Sequence, residues 1–185
     1  MDKIKVGVLI GSLRKESYNL KTAKALISLA PGTLSLEIIP IGDLSLYNED
    51  LESNTPDQWK QFREKLSSCS AVLFVTPEYN RSVPAVLKNA IDVGSRPYGK
   101  NAWEGKPGAI VSVSPGKIGA FGANHHLRQS LVFINVPAMP QPEAYIGGAA
   151  ELFDDKGNLT NESTKDFLKK FMIAFEKWIN NNSKK

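Results

Sequence analysis

The sequence is poor in the residue types that build covalent or metal-centred sites. Cys69 is the only cysteine and there are 2 histidines among the 185 residues. A single cysteine excludes an intramolecular disulfide, a zinc site built from several cysteines and a cysteine-held iron–sulfur cluster. His125 and His126 are adjacent on a predicted helix, so their side chains point about 100° apart and suit one metal ion poorly. We therefore expect no metal site, and we expect Cys69 to be a core residue.

Long apolar runs and a strong charge of one sign are missing as well. The longest stretches without Asp, Glu, Lys or Arg, such as 66–77 and 129–142, are shorter than the roughly 20 apolar residues that span a bilayer. The N-terminal segment carries charged residues inside a predicted strand and shows no export signal. The 23 Lys and Arg and 19 Asp and Glu give a net charge of +4, interspersed along the chain and not gathered into a basic stripe. These features predict a cytoplasmic protein that binds neither membranes nor nucleic acids.

Apolar, β-branched segments alternate with amphipathic segments along the chain. Strands are predicted at 4–10, 34–39, 71–76, 108–113 and 135–139, and helices at 17–29, from Pro56, at 84–93, 121–133 and 163–180. This alternation predicts an α/β protein with helices on both faces of a mostly parallel sheet. Five strands at this length favour the flavodoxin-like, doubly wound order 2-1-3-4-5. Because no repeat or long linker divides the chain, we expect residues 1–185 to form a single domain.

Ligands of such sheets bind beyond the carboxyl ends of the strands, so the loops after the first, third and fourth strands are the candidate site. We call them loop 1 (11–20), loop 2 (76–84) and loop 3 (114–122). Loop 1 leads into a helix and contains Ser12, Arg14, Ser17 and Asn19. Hydroxyls, a guanidinium and an amide at a helix N-terminus suit a phosphate group. The alternative is that Ser17 is only a helix N-cap and Arg14 only a surface charge.

Loops 2 and 3 contain groups that suit a flat heterocycle. In loop 2, Tyr79 and Asn80 provide a ring and an amide between two prolines. The alternative is an ordinary polar loop before a proline-initiated helix. In loop 3, Gly116 and Gly119 allow the backbone to approach a ligand closely, which alone is a weak signal.

Taken together, the loops resemble those of the NADPH-dependent FMN reductase family, which includes bacterial quinone and chromate reductases and related azoreductases. The resemblance rests on Gly-Ser-Leu-Arg at 11–14, Thr-Pro-Glu-Tyr-Asn at 76–80 and Leu-Lys-Asn-Ala-Ile-Asp at 87–92, and it extends to 127–129 and 142–143. It implies a flavodoxin-like fold, noncovalent FMN and NADPH or NADH as co-substrate. The implied reaction is ping-pong reduction of a small-molecule acceptor: a quinone, a flavin, an azo compound or a metal oxyanion.

The resemblance also implies which residues hold FMN, with its phosphate in loop 1 and its ring beside loops 2 and 3. These residues are Ser12, Arg14, Ser17, Tyr18, Asn19, Leu20, Pro77, Glu78, Tyr79, Asn80, Ser114, Gly116, Lys117 and Gly119. No side chain is implied as a catalytic acid or base, because FMN carries the hydride chemistry. Family members often have glycine at the position of Ala120 and arginine at that of Gly122, so the choice between NADPH and NADH stays open. Lys117 either contacts a nucleotide phosphate or is simply exposed.

The resemblance further implies a homodimer or homotetramer. Arg128 and Glu143 occupy positions that lie near subunit contacts in relatives. They are expected to form an ion pair at an interface, with plain surface charges as the alternative.

Two other functions are compatible with the same fold: a flavodoxin-type electron carrier and a flavin-free binding module. Electron carriers are usually strongly acidic and have a phosphate loop without arginine, so the charge of +4 and Arg14 argue against this class. A flavin-free module is expected to have lost the phosphate and ring loops, and both are intact here. The cellular electron acceptor is not evident from the sequence.

Overall fold

The computed structural model describes residues 2–183, which contain a five-stranded parallel sheet of order β2-β1-β3-β4-β5. The strands are β1 (Ile4–Ile10), β2 (Leu34–Ile38), β3 (Ala71–Thr76), β4 (Gly108–Val113) and β5 (Ala144–Ile146). The α-helices are α1 (Tyr18–Leu29), α2 (Asp57–Ser68), α3 (Ala85–Ser95), α4 (Phe121–Phe133) and α5 (Glu162–Asn182), and short 3-10 helices lie at Glu49–Glu52 and Ala149–Glu151. The predicted fold class and strand order are confirmed.

Each face of the sheet has its own apolar core, because successive strand residues point to opposite faces. Val8 belongs to the core formed with α1 and α5, where Leu26 and Phe175 are fully buried. Its neighbour Leu9 belongs to the core formed with α2, α3 and α4, which includes the fully buried Trp103. Every residue of β3 and β4 is buried, as expected for central strands covered on both faces.

The fifth strand comes later in the chain than the sequence pattern predicts, so the prediction of a strand at 135–139 is wrong. That segment makes only an isolated bridge to β4, with Gly108 N donating to Pro137 O and Met139 N to Gly108 O. Prolines at 137, 140 and 142 have no N–H to continue a ladder. Pairing with β4 resumes at Ala144, which lies opposite Val111. This register places the end of β5 beside loop 3.

Cys69 lies in the core between α2 and β3 and is 7% exposed. Desolvation raises the pKa of its thiol, which keeps the sulfur protonated and unreactive. The prediction of a core cysteine is therefore confirmed. No helix within residues 2–183 is both long enough and apolar enough to cross a bilayer.

Candidate functional site

The three loops meet at the carboxyl edge of the sheet. At the start of loop 1, a Cβ on Gly11 would lie 3.1 Å from Pro77 Cδ in loop 2, so glycine allows the two loops to pack together. A Cβ on Gly147, just after β5, would lie 2.4 Å from Lys117 O in loop 3. Loop 2 is joined to α4 immediately beyond loop 3, because Glu78 Oε2 accepts a hydrogen bond from Ala123 N at 3.0 Å. The fold thus brings together the segments that the sequence marks as a site.

In loop 1, Ser17 and Asn19 form a polar cradle at the N-terminus of α1. Ser17 Oγ accepts hydrogen bonds from Asn19 N at 3.2 Å and Leu20 N at 3.4 Å, so it is the N-cap and its own hydroxyl hydrogen is still free to donate. Asn19 is 4% exposed, and its buried Oδ1 has no hydrogen-bond partner within residues 2–183. An unpaired buried amide oxygen is costly, so this site fits a ligand that completes the bond. A ligand hydroxyl would donate to Oδ1, or the amide turned over would donate to a phosphate oxygen.

The remaining predicted phosphate ligands are accessible. Ser12 is half-buried and Arg14 is exposed, and no carboxylate of residues 2–183 lies within ion-pair distance of the Arg14 guanidinium. An unpaired guanidinium next to the positive end of the α1 dipole favours an anion. The donor set therefore fits the phosphate and the sugar-alcohol chain of FMN.

Two residues of the predicted set turn their side chains away from the cradle. The Tyr18 ring stacks on Phe153 with centroids 6.4 Å apart, and Lys21 Nζ lies 5.8 Å from the Tyr18 ring centroid. Leu20 packs against the core shared by α1 and α5. Both residues can contribute to phosphate binding only through the backbone.

Loop 2 exposes its ring and its amide but not its carboxylate. Tyr79 is 48% exposed and Asn80 is exposed, whereas Pro77 is buried. The Glu78 side chain points to α4 and to Arg81, whose Nη1 donates to Glu78 Oε1 at 2.7 Å. A ligand ring at loop 2 would therefore meet the backbone of Glu78 and not its carboxylate.

Loop 3 is a tight glycine-containing segment that lies on the end of β5. Gly119 has φ +62°, and a Cβ there would lie 2.6 Å from the carbonyl carbon of Tyr145. Ser114 Oγ accepts a hydrogen bond from Gly116 N at 3.1 Å, which folds the loop back on itself. Lys117 is exposed, and no carboxylate among the described residues pairs with it.

Two buried polar residues near the site were not singled out by sequence reasoning. Asn89, on α3, donates through Nδ2 to Leu44 O and Ser45 O and accepts from Tyr47 N at 2.8 Å, which holds the loop after β2. Thr22, on α1, is fully buried, and its hydroxyl has no hydrogen-bond partner among the described residues. In the sequence, each of the two is a polar residue on an otherwise apolar helix face. Because a buried polar group requires a hydrogen-bond partner, this pattern could have marked both residues as anchoring or binding groups.

The residues expected at a subunit interface make contacts within the chain. Arg128 donates through Nε to Asn124 Oδ1 at 3.1 Å and through Nη1 to Met139 O at 3.0 Å.

The Tyr145 hydroxyl lies 2.9 Å from His125 Nε2. Burial raises the pKa of Tyr145 to about 12, with a further contribution from the nearby Glu143 carboxylate, so its phenol is neutral at physiological pH.

The two histidines have separate partners. His125 lies against Tyr145, whereas His126 Nδ1 lies 3.0 Å from Ser82 Oγ. Within residues 2–183 there is no group of three or more His, Cys, Asp or Glu placed to hold a metal ion.

Comparison with known proteins identifies the family. The sequence model of the NADPH-dependent FMN reductase family matches residues 4–151. A quinone reductase from Pseudomonas putida is 64% identical over 178 residues, covering 96% of this chain and 95% of the relative. A 2-hydroxy-1,4-benzoquinone reductase from Burkholderia sp. is 43% identical over 176 residues, covering 95% of this chain and 96% of the relative.

A solved structure gives the same result. The flavoenzyme NAD(P)H:(acceptor) oxidoreductase FerB from Paracoccus denitrificans superposes with a TM-score of 0.92 and is 44% identical, with 98% of this chain and 100% of that chain covered. The predicted family, enzyme class and cofactors are confirmed. This chain belongs to the NADPH-dependent FMN reductase family and is an NAD(P)H-dependent oxidoreductase that uses FMN.

Proposed function

We propose that loops 1, 2 and 3 hold FMN and that the enzyme passes electrons from NAD(P)H to a quinone. The observation that carries the site assignment is the buried Oδ1 of Asn19, which has no hydrogen-bond partner within residues 2–183, in the first turn of the helix that follows the exposed Arg14. The relatives named as quinone reductases support the choice of acceptor. When bound, FMN supplies the redox chemistry, in which hydride is taken from the nicotinamide and two electrons pass to the acceptor.

Loop 1 binds the phosphate end in this proposal. Ser12 and Ser17 donate through their hydroxyls and Arg14 donates through its guanidinium, while the α1 dipole adds a favourable field. Asn19 pairs with a ribityl hydroxyl or a phosphate oxygen. Tyr18 and Leu20 contribute through the backbone at the first turn of α1.

Loops 2 and 3 orient the ring. The backbone of 77–80 lies along one edge and Tyr79 offers a half-exposed flat surface beside it. Ser114, Gly116 and Gly119 use their own N–H groups within the protein and so fix the shape of loop 3. The N–H groups of Lys117 and Ile118 are then the donors for the other edge, where they stabilise the negative charge of a reduced ring. Lys117, which is exposed and unpaired within residues 2–183, provides a cation for a nucleotide phosphate.

We propose that two copies of the chain associate through the exposed end of α4. Val132 and Phe133 are 80% and 92% exposed, and Phe133 borders a groove of about 480 Å³ between α3 and α4. Arg128 lies on α4 one turn before Val132, and in this proposal Arg128 and Glu143 add charged contacts in a dimer or tetramer. Light scattering of the purified protein is expected to give a dimeric or tetrameric mass, and Phe133→Asp is expected to give the monomeric mass.

We place the enzyme in the cytoplasm, where NAD(P)H is available to it. Cell fractionation is expected to recover the protein with soluble dehydrogenases and not with periplasmic or membrane markers.

The experiment that tests the proposed activity is visible spectroscopy of the desalted, FMN-loaded protein. Flavin absorption is expected to bleach with NADPH or NADH under anaerobic conditions and to return when a quinone is added. Bands that neither nucleotide bleaches would indicate an electron carrier, and failure to retain FMN would contradict the site. Parallel titrations with NADPH and NADH give the nucleotide preference.

The phosphate assignment is tested with Arg14→Ala. Loss of a charge-assisted hydrogen bond is expected to raise the Kd for FMN about tenfold or more. Binding of riboflavin, which has no phosphate, is expected to be unchanged. Lys15→Ala removes a neighbouring exposed cation and is the matched control, for which the FMN Kd is expected to stay within about twofold. Equal effects of the two substitutions would indicate a general charge effect and not a phosphate contact.

A further inference from the structure

Loop 2 contains a tight turn in an unusual backbone conformation. Tyr79 N donates to Ser82 O at 3.2 Å and Ser82 N donates to Tyr79 O at 3.0 Å, so these residues close the turn. The two central residues, Asn80 and Arg81, have φ angles of 51° and 63°. Positive φ at both central positions is the geometry of a type I′ turn, which favours glycine and which an arginine seldom adopts. The turn is therefore held in place by contacts outside itself.

The Glu78 carboxylate is the main contact of this kind. The Glu78 side chain is 10% exposed, Oε1 accepts from Arg81 Nη1 at 2.7 Å, and Oε2 accepts from Ala123 N at 3.0 Å. One carboxylate thus joins a central residue of the turn to the first turn of α4. A carboxylate is a favourable acceptor at this end of a helix because the helix dipole is positive there.

A second contact and a glycine complete the arrangement. Ser82 Oγ lies 3.0 Å from His126 Nδ1, one helical turn beyond Ala123. A Cβ on Gly122 would lie 2.8 Å from Glu78 Oε2 and 3.0 Å from Arg81 O, so glycine lets the turn pack against α4 without a shift of either group. We call this set of residues the turn clamp: Glu78, Arg81, Ser82, Gly122, Ala123 and His126.

We propose that Glu78 is a positioning residue for the flavin ring, acting through the backbone of 77–80 without touching the ring. The carboxylate fixes the turn against α4, so the loop already has its binding conformation before FMN arrives. Preorganisation of this kind strengthens binding because less chain must be ordered on association. This inference rests on the proposed placement of the ring at loop 2.

The test compares FMN and riboflavin binding to the apoprotein, measured by quenching of flavin fluorescence. Glu78→Ala removes both acceptors and is expected to raise the Kd of FMN and of riboflavin by about the same factor, tenfold or more. Glu78→Gln keeps a neutral acceptor for Ala123 N and is expected to restore most of the affinity. Arg81→Ala removes only the more exposed partner and is expected to raise both Kd values less than about fivefold. The absorption bands of bound FMN are expected to shift in Glu78→Ala, because the loop backbone no longer sits at the ring edge.

A matched control is Glu52→Gln. The Glu52 carboxylate likewise accepts from an arginine, Arg96, and from the Tyr47 hydroxyl, but it lies outside the three loops. Both flavin Kd values are expected to be unchanged in this variant. Thermal unfolding of each apoprotein reports whether the fold is retained. If Glu78→Ala does not fold, Arg81→Ala decides: a rise of both flavin Kd values by about twofold to fivefold, with none in Glu52→Gln, is expected, and Kd values unchanged in Arg81→Ala would overturn the proposal.

Three further results would overturn the proposal. The first is a folded Glu78→Ala protein whose flavin Kd values stay within twofold of wild type. The second is loss of FMN binding without loss of riboflavin binding, which would place the action of Glu78 at the phosphate. The third is an equal loss in Glu52→Gln, which would indicate a general effect on stability. Failure of the wild-type protein itself to bind FMN would instead remove the proposed site on which the inference depends.

Discussion

At the scale of single residues, Gly119 and Gly99 show two different reasons why a position favours glycine: a close approach of neighbouring backbone and a positive φ. Both have positive φ, 62° and 76°, but a Cβ on Gly119 would lie 2.6 Å from Tyr145 C, whereas nothing lies within 4 Å of one on Gly99. Gly119→Ala is expected to lower the free energy of unfolding by ~3 kcal/mol or more, because loop 3 must separate from β5. Gly99→Ala is expected to cost ~1 kcal/mol, the cost of the left-handed backbone alone. Urea unfolding of both variants measures the difference. Equal losses would show that backbone conformation, and not the close approach to Tyr145, sets the requirement.

At the scale of elements, the loop after β2 depends on one side chain of α3. Asn89 makes three hydrogen bonds to the backbone of 44–47. Asn89→Ala leaves those groups without partners and is expected to lower the free energy of unfolding by ~2 kcal/mol or more. Amide exchange at Tyr47 is expected to accelerate. Asn158→Ala, in which an exposed asparagine loses the bond from its Nδ2 to Asp154 Oδ2, is the control and is expected to change stability by less than ~1 kcal/mol. Unchanged exchange at Tyr47 in Asn89→Ala would mean that other contacts hold the loop.

The elements also show how far sequence reasoning extends. β3 and β4 and helix α4 have the predicted bounds because each is a continuous apolar or amphipathic run, whose period and composition are local properties. The fifth strand could not be placed in this way. Both 135–139 and 144–146 lie beside β4, but the prolines at 137, 140 and 142 have no N–H to donate to a ladder. Regular pairing with β4 therefore begins only after the last of these prolines.

The same distinction applies to the candidate site. Residue types in loop 1 predict an anion site, and Ser17 and Asn19 lie together at the start of α1 because they are close in sequence. Anion binding by these residues stays a prediction. The direction of the Glu78 side chain was not predictable, since Ala123 N lies 45 positions away along the chain. The anchoring of the loop after β2 by Asn89 was missed for the same reason, because its partners are separated from it by 42 to 45 positions.

At the scale of the whole molecule, two cores share one sheet, and we propose that the described residues unfold as one cooperative unit. Phe175 is fully buried in the core on one face, and Cys69 lies in the core on the other. Phe175→Ala is expected to cost ~3 kcal/mol or more. Labelling of Cys69 well below the denaturation transition, where both proteins are still almost fully folded, is therefore expected to accelerate at least about 100-fold, since the thiol reacts from the unfolded state.

The control substitution lies on the same helix. Ile173 is 51% exposed, and Ile173→Ala is expected to change the labelling rate less than about threefold. An unchanged rate in Phe175→Ala, with a lowered unfolding midpoint by tryptophan fluorescence, would show that the two faces open independently.

The packing of α5 on α1 has a consequence for how the protein matures during translation. The cradle at the start of α1 leaves the ribosome early, but Phe171 and Phe175, which cover the same core as Leu26 of α1, are made last among the elements described. At about 5–20 residues per second, the interval between the two is on the order of ten seconds. During that time the residues that we propose bind phosphate lie on a segment whose helix is not yet covered by α5. At the proposed site, stable capture of FMN is therefore expected only after α5 has been synthesised.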